Sequence, residues 1–177
     1  MLLKSDINFK NPGKLQDSYI IGDIIGSGAQ GMVRAVFHPM TKQTRACKAL
    51  KKTGSHCKYI MNEIESLIKL DHPNILRIHE YFESENNYYL VTELCSGTSL
   101  YELVRQKKKL SEADSLVIFR QILVAVNYMH SMGITHQDLK PENFVVSQDL
   151  KVKMIDFGLS SSQAIMTERV GSPMFIA

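Results

Sequence analysis

The stretch HQDLKPENF, His136 to Phe144, brings two carboxylates, an ammonium group and a carboxamide within a few residues of one another. Such side chains cannot form a hydrophobic surface, and Pro141 removes a backbone donor and disfavours a continuous helix. The stretch is therefore interpreted as a fixed polar loop. Taken alone, it is explained equally well as a solvated turn, so the rest of the chain has to decide. The polar side chains are those of Asp138, Lys140, Glu142 and Asn143.

The composition is that of a soluble globular protein. The 177 residues are 44% hydrophobic and 22% charged, which suits one domain or two small lobes. A net charge of +3 is too small to indicate a nucleic-acid or membrane partner. The basic run Arg105 to Lys109 is explained as the solvated end of a helix.

The cysteines and the first residues bear on location. Cys47, Cys57 and Cys95 are too widely spaced for a disulfide framework or a zinc knuckle, which favours the cytoplasm, with the nucleus as the alternative. The start MLLKSDINFK lacks the apolar region of a signal peptide, and no later segment is long enough to span a bilayer. No membrane attachment is expected.

Short strand-like segments in the first half and helical sequence in the second divide the chain. Residues 1–18 are a polar extension with no assigned chemistry. Residues 19–95 alternate β-rich segments and turns, with one helix predicted over Tyr59 to Leu70. The small polar stretch SGTS, residues 96–99, is interpreted as the linker that opens the second unit, residues 96–177.

The second unit begins helically. Ser111 and Asp114 are predicted to form a capping box, a buried helix is predicted over Leu116 to Met129, and Gly133 supplies a stop. After the polar loop, FVVS and KVKMI are predicted as two short strands that lead to Asp156.

A glycine-rich stretch follows the first predicted strand. GSGAQGMV, Gly26 to Val33, matches G-x-G-x-x-G-x-V, in which glycine lets the backbone approach phosphate oxygens closely. Alone, a simple hairpin turn is at least as good an explanation. A Rossmann unit would continue into a helix, whereas MVRAVF continues as strand, so a strand-loop-strand cover is preferred.

A lysine and a glutamate are predicted to face each other. In TRACKAL, Thr44 to Leu50, alternation places Lys48 on the same face as small and apolar side chains. An inward lysine needs an anion, and an edge-strand lysine facing solvent is the alternative. Glu63 lies three residues after Ile60 and four before Leu67, so it points toward the core side of the predicted helix. Glu63 is the candidate partner of Lys48.

MIDFG places Asp156 at a strand end before an aromatic residue and a glycine. Read alone, Asp-Phe-Gly is more often a turn than a metal site. In order along the chain, however, the glycine loop, Lys48, Glu63, the His-x-Asp loop with Asn143 and Asp156 form a set that chance does not explain.

This ordered set resembles that of the eukaryotic protein kinases from near Tyr19 onward. DLKPEN and GSP resemble the corresponding motifs of serine/threonine kinases rather than those of tyrosine kinases. GKLQDSYIIGDIIGSGAQG resembles the same region in the calcium-dependent or calmodulin-dependent kinase group. The resemblance implies an α+β, bilobal fold. A small antiparallel sheet lobe with one key helix would precede the beginning of a mainly helical large lobe.

The resemblance also implies ATP, Mg²⁺ and protein substrates with serine or threonine acceptors. Lys48, oriented by Glu63, would hold the α- and β-phosphates, and Asn143 and Asp156 would hold magnesium. Lys140 would neutralise the γ-phosphate, and Asp138 would orient the acceptor hydroxyl and accept its proton. The glycine loop would cover the phosphates through Gly26, Ser27, Gly28, Ala29 and Gly31. The adenine site would be formed by Val33, Ala46, Thr92, Glu93, Cys95 and Val145. An apolar column would comprise Leu67, Ile78, His136 and Phe157.

The sequence departs from the kinase pattern in places. Gln137 replaces an arginine that often pairs with a phosphorylated residue, and Glu168 stands where that residue often lies, so activity independent of phosphorylation there is expected. Thr167 and Ser172 are alternative phosphorylation sites. Glu142 resembles an acid that favours basic residues upstream of the acceptor. Ser99 occupies a place where relatives often have another acid, so that preference is expected to be muted.

GSPMFIA stops at the alanine of the kinases' Ala-Pro-Glu, so we expect the rest of the large lobe to be absent. The apolar helix would then keep exposed faces and the chain would be poorly soluble. The alternative function is a non-catalytic nucleotide-binding or scaffold fragment. Calcium or calmodulin regulation is expected only through segments outside this sequence, because it holds no Asp-x-Asp-x-Asp-Gly loop.

Overall fold

The structure is a computed structural model that describes residues 9–28, 31–53, 56–162 and 171–172. The elements of its first part are β1 (Lys10–Asn11), α1 (Leu15–Ser18), β2 (Ile20–Gly28), β3 (Gly31–His38), β4 (Gln43–Lys51), α2 (His56–Lys69), β5 (Ile78–Glu83) and β6 (Asn87–Glu93). The six strands form one sheet in the order β1-β5-β6-β4-β3-β2, and helix α2 follows β4. Neighbouring strands are antiparallel, except that β1 runs parallel to β5.

The β-rich segments separated by turns that are predicted after Tyr19 are present. Strands β3 and β4 form a hairpin across HPMTKQ, where Pro39 fixes one turn residue and the backbone N–H of Lys42 donates to the carbonyl of His38 at 2.9 Å. Lys42 has a φ of 56°, a left-handed conformation that a tight turn requires. The hairpin sets the register that places Val33 opposite Lys48.

The elements of the second part are β7 (Thr98–Ser99), α3 (Leu100–Lys107), α4 (Glu112–Ser131), a 3-10 turn (Pro141–Asn143), β8 (Phe144–Val146) and β9 (Val152–Met154). The three strands form a sheet in the order β7-β8-β9. Helix α4 begins as predicted, because the Ser111 hydroxyl accepts a hydrogen bond from the Asp114 N–H at 3.0 Å. It ends beside Gly133, whose φ is 69°.

One hydrophobic core runs through both parts. Helix α2 contributes Ile60, Ile64 and Leu67, the apolar stripe that its 3.6-residue period predicts. The same cluster includes Met129 of α4 and Phe157 after β9, so the two lobes share packed apolar surface. The expected α+β, two-lobe architecture is confirmed, with a sheet-rich first lobe and the first helices of the second.

Residues before Tyr19 form structure that the sequence did not indicate. Strand β1 extends the sheet beside β5, with the Tyr81 N–H donating to the Phe9 carbonyl at 2.8 Å. Phe9 and Leu15 are buried. The segment was predicted as a plain extension because its polar residues outnumber these two apolar anchors. The stretch SGTS is likewise only partly a linker, since Thr98 and Ser99 pair with β8.

The prediction that α4 is buried holds for one face only. Ile118, Ala125 and Met129 are buried, whereas Leu116 is 68% exposed and Phe119 58% exposed. No element of the described residues covers that second side, so the expectation of exposed apolar faces is met. Within the described ranges, none of the helices combines the length and apolar composition that crossing a membrane requires.

Candidate active site

Strand β4 and helix α2 meet at an ion pair. The Lys48 ammonium nitrogen lies 2.7 Å from Glu63 Oε1 and 3.9 Å from Asp156 Oδ1. Lys48 reaches this position because its neighbour Cys47 is buried on the other face of the strand, as period-two alternation requires. The structure thus brings together the three charged residues that the sequence assigned to one end of the site.

Burial governs the charge state of Glu63. Desolvation raises the pKa of this carboxyl above its ordinary value, while the ammonium group of Lys48 opposes that rise. The nearby Asp156 carboxylate adds to the rise. The ionised form of Glu63 therefore depends on Lys48, and each residue would be left poorly compensated without the other.

Asp138 is held at both carboxylate oxygens. Lys140 Nζ lies 2.7 Å from Oδ2, and the backbone N–H and hydroxyl of Ser172 donate to Oδ1 at 3.0 and 2.7 Å. Burial acts to raise the pKa of Asp138, but the hydrogen bonds from Lys140 and Ser172 outweigh it, and the pKa lies below its ordinary value. The carboxylate is therefore ionised near neutral pH and can only accept hydrogen bonds.

The loop around Asp138 is fixed by His136. Burial lowers the pKa of this histidine, which therefore carries one ring proton at neutral pH. The Asp138 N–H lies 3.3 Å from Nδ1, which must accept, so Nε2 carries the proton and donates to the Ile155 carbonyl at 3.2 Å. The intervening Gln137 has a φ of 66°. These contacts agree with the fixed polar loop that the sequence indicated.

Asn143 links the loop to the segment that precedes Asp156. Its amide nitrogen donates to the backbone carbonyl and Oδ2 of Asp138 at 2.8 and 3.1 Å. Its own carbonyl accepts from the Ile155 N–H at 2.8 Å. With Nδ2 turned toward Asp138, the side-chain oxygen Oδ1 is the atom that could ligate a cation. Asp156, with a φ of 65°, supplies a carboxylate from the neighbouring turn.

Five of the residues assigned to adenine lie on strands of the two sheets, and Cys95 follows β6. Ala46 of β4 pairs with the buried Thr92 of β6, whose hydroxyl donates to the Glu93 carbonyl at 3.1 Å. That carbonyl has a second lone pair with which to accept from a base. Val145 is in β8, between two buried neighbours. Burial raises the pKa of the Cys95 thiol to about 11, so this side chain is an unreactive wall rather than a nucleophile.

The glycine loop joins β2 to β3. Gly26 pairs with Val33, Ser27 with Met32, and Gly28 with Gly31. At Gly31 the backbone itself requires glycine, since φ is 136° and an added Cβ would lie 2.3 Å from the Ala49 carbonyl oxygen. Ala29 lies outside the described residues.

The predicted apolar column is assembled. Its four members are buried, and the rings of His136 and Phe157 lie with their centroids 4.9 Å apart. The column joins α2, β5, the polar loop and the turn after β9. The members are Leu67, Ile78, His136 and Phe157.

Most of the chain, including this site, matches one known protein family. The family described as "Protein kinase domain" matches residues 19–177. The chain belongs to the protein kinase family. The match begins at Tyr19 and includes the polar loop and the Asp156 turn, so the kinase resemblance read from the sequence is confirmed.

Curated relatives support the same group. The kinase is 41% identical over 143 residues to sperm motility kinase 2B of Mus musculus, an alignment that covers 81% of this chain and 30% of the mouse protein. It is 40% identical over 158 residues to a probable myosin light chain kinase of Dictyostelium discoideum, covering 86% of this chain and 50% of that one. It is 36% identical over 185 aligned residues to calcium/calmodulin-dependent protein kinase type 1 of Macrobrachium nipponense, covering 98% of this chain and 54% of the relative.

The kinase therefore spans between about a third and about half of the length of these relatives. The resemblance to the calcium-dependent or calmodulin-dependent group agrees with the last two of them.

One contact in the kinase site was missed by sequence reasoning. Ser172 was considered only as a phosphorylation site, yet its hydroxyl donates to Asp138 and accepts from Lys140 Nζ at 2.8 Å. The GSP motif marks Ser172 in the sequence, but it does not indicate that this residue contacts a loop 34 residues earlier. Glu168, which is expected to replace a phosphorylated residue, and Thr167, an alternative phosphorylation site, lie outside the described residues.

Proposed function

We propose that this kinase transfers the γ-phosphate of ATP to serine and threonine hydroxyls of protein substrates. The observation that carries the proposal is the pairing of two charged centres. Lys48 is held by Glu63 at 2.7 Å beside Asp156, and Asp138 is held by Lys140 at 2.7 Å. The first centre suits a polyphosphate, and the second suits a hydroxyl acceptor.

Lys48 binds the α- and β-phosphates, and Glu63 keeps its ammonium group directed into the site. The backbone of the glycine loop covers the phosphates through Gly26, Ser27, Gly28 and Gly31, and the proposal includes Ala29 from the sequence motif. A lysine so placed stabilises negative charge electrostatically, which is the main source of catalysis in phosphoryl transfer.

The donor set at the phosphate end fits Mg²⁺. This ion commonly takes one or two protein oxygen ligands and completes its shell with water and substrate phosphates. Asp156 would supply a carboxylate oxygen and Asn143 its Oδ1, since Nδ2 is directed at Asp138. When bound, the ion would neutralise charge on the phosphates.

Asp138 orients the acceptor hydroxyl and accepts its proton. Its lowered pKa keeps it ionised near neutral pH, and Lys140 beside it meets the γ-phosphate. Ser172 holds Oδ1 through two hydrogen bonds and so fixes the rotation of the carboxylate. Because Ser172, Lys140 and Asn143 together donate four hydrogen bonds to the two carboxylate oxygens, the acceptor hydroxyl takes the place of one of these donors when it binds.

The preference for serine and threonine rests on two motifs, DLKPEN and GSP. Glu142 supports a muted preference for basic residues upstream of the acceptor, and Gln137 supports activity without a phosphorylated activation segment. The free Cys47, Cys57 and Cys95 support a reducing compartment, the cytoplasm or the nucleus.

The test is transfer of radiolabelled γ-phosphate from ATP to peptides that differ only in a serine, threonine or tyrosine acceptor. We expect serine and threonine peptides to be labelled, and Asp138→Asn to abolish labelling. Asp149→Asn is the matched control, since this exposed aspartate pairs with Lys151 away from the site. Labelling of the tyrosine peptide alone would refute the specificity. Binding of Mg²⁺ and ATP without any transfer would favour the non-catalytic alternative.

A further inference from the structure

Two buried serines connect helix α2 to the segment after Asp156. Ser66 Oγ and Ser160 Oγ lie 2.7 Å apart, although 94 residues separate them in sequence. Ser66 is 6% exposed and Ser160 is 1% exposed. A buried hydroxyl needs a partner, and each of these supplies one to the other.

The direction of the hydrogen bonds follows from the number of protons. Ser160 Oγ donates to the Phe157 carbonyl at 2.6 Å, and a serine hydroxyl has one proton to give. Ser66 must therefore donate to Ser160. The result is a chain of hydrogen bonds from α2 to the backbone of the residue that follows Asp156.

The position of Ser66 on the helix relates this chain to the Lys48 ion pair. Ser66 lies three residues after Glu63, so the two side chains are neighbours on one face of α2, about one turn apart. Helix α2 is thereby attached at two polar points, to Lys48 through Glu63 and to Ser160 through Ser66. A rotation of α2 about its axis would break both attachments.

An apolar side chain would serve the core at the Ser66 position at least as well. Ile64 and Leu67, on the same helix, are almost fully buried and carry no polar atoms in their side chains. A buried hydroxyl pair gives little net stability, but it is satisfied in only one arrangement of the two segments. It therefore specifies orientation more than it adds stability.

We propose that Ser66 and Ser160 are positioning residues that set the rotation of α2, holding Glu63 toward Lys48 and coupling the helix to the Asp156 turn. The inference rests on the proposed function, because the orientation of Glu63 affects ATP binding only if Lys48 and Glu63 belong to an ATP site. Neither serine touches the nucleotide in this account, and both act through Glu63.

The experiment measures the dissociation constant for ATP with Mg²⁺ in the full chain and in single and double variants. Ser66→Ala and Ser160→Ala should each weaken binding by about three- to tenfold, the range expected for one hydrogen bond. The double variant should be no weaker than either single one, because both serines belong to one link. In a Glu63→Gln background, Ser66→Ala should have less than about a twofold effect.

The matched control is Ser131→Ala. The Ser131 hydroxyl donates to the Tyr128 carbonyl at 2.7 Å on α4, away from the site. Its removal should leave ATP affinity unchanged. Two results would overturn the proposal. One is that Ser66→Ala weakens ATP binding as much in the Glu63→Gln background as in the original chain. The other is that Ser66→Ala and Ser160→Ala both leave the affinity for ATP unaltered.

Hydrogen exchange of residues 60–69 separates this inference from the proposed function. Ser66→Ala and Ser160→Ala should accelerate amide exchange in α2 to the same extent, and the double variant should add nothing. If the unaltered chain does not bind ATP, the proposed function is refuted, and hydrogen exchange still tests whether Ser66 and Ser160 position α2. If Ser160→Ala leaves amide exchange in α2 unchanged, the two serines do not position the helix and the inference is contradicted.

Discussion

The Lys48 ammonium nitrogen lies 2.7 Å from Glu63 Oε1, which joins the central hairpin of the first lobe to its long helix. Asp156 stands 3.9 Å from the same nitrogen, so three separate elements meet at one cation. Because burial disfavours the charge on Glu63, this arrangement holds only while α2 keeps its present orientation. The orientation of α2 is thus the structural variable on which the proposed ATP site depends.

Ser172 is predicted to act on catalysis rather than on nucleotide binding. Ser172→Ala removes a hydroxyl that donates to Asp138 Oδ1 at 2.7 Å and accepts from Lys140. Loss of one hydrogen bond to a charged group corresponds to roughly 1.5–3 kcal/mol, so kcat should fall by about tenfold to 150-fold. Steady-state kinetics should show KM for ATP within about twofold of the original value.

Ser172→Thr keeps the hydroxyl and should retain most of the rate. Phosphorylation of Ser172 would place negative charge against the Asp138 carboxylate, so it is expected to inactivate. An alanine variant with an unchanged kcat would show that the contact has no catalytic role.

His79 is predicted to make stability depend on pH. Burial lowers the pKa of this histidine from 6.5 to about 4, assisted by Arg45 and Arg77. The unfolded chain therefore binds the proton more readily, and the free energy of unfolding falls as pH drops from about 6.5 toward about 4. Above about pH 6.5 the contribution of the uncharged His79 to the free energy of unfolding is fully present.

Urea unfolding of the original chain and of His79→Gln, at about pH 7 and about pH 5, measures this dependence. The glutamine variant should lose less stability between the two values. If the original chain and His79→Gln lose the same amount of stability, groups other than His79 cause the acid sensitivity.

Phe9 is predicted to anchor the segment before Tyr19. It is buried in the core cluster that contains Ile60 and Ile64 of α2, and its carbonyl pairs with Tyr81. Phe9→Ala should lower the free energy of unfolding by about 3–5 kcal/mol, the range for a buried phenylalanine. Met40 is 87% exposed, so Met40→Ala should change it by less than about 0.5 kcal/mol. Similar values for both variants would mean that the segment contributes nothing to the fold.

The exposed side of α4 is predicted to drive self-association. Replacing Leu116 and Phe119 together by lysine removes two of its apolar side chains and adds charge. Static light scattering should show a lower apparent mass than for the original chain at equal concentration. Tyr101→Lys is the control for added charge, since Tyr101 is exposed on α3 and not on α4. A monomeric original chain would contradict the prediction.

The local periodicities of the sequence were sufficient to predict the main elements and the Lys48 and Glu63 pair. Strand alternation placed Lys48 inward and the helical period placed Glu63 toward it, because both depend on neighbours along one element. The Ser172 contact with Asp138 and the parallel pairing of β1 with β5 were not predicted. Each joins residues far apart in sequence through a single contact or a two-residue strand, and such contacts leave no periodic trace.

Helix α4 shows a different limit. Its apolar residues occur on nearly every side, a pattern that predicts burial without saying against what. The structure covers only the face with Ile118, Ala125 and Met129. The pattern therefore identified the helix but not its surroundings.

The central claim, that Lys48 and Glu63 form a working ATP site, is tested most directly by thermal unfolding with ATP, with and without Mg²⁺. Binding to the folded state should add about 2.7 kcal/mol when ATP exceeds its dissociation constant about a hundredfold. The stabilisation should require Mg²⁺, disappear in Lys48→Met and persist in Lys58→Met, where an exposed lysine of the same charge is removed. Equal stabilisation of the Lys48→Met variant, or none in the original chain, would contradict the account.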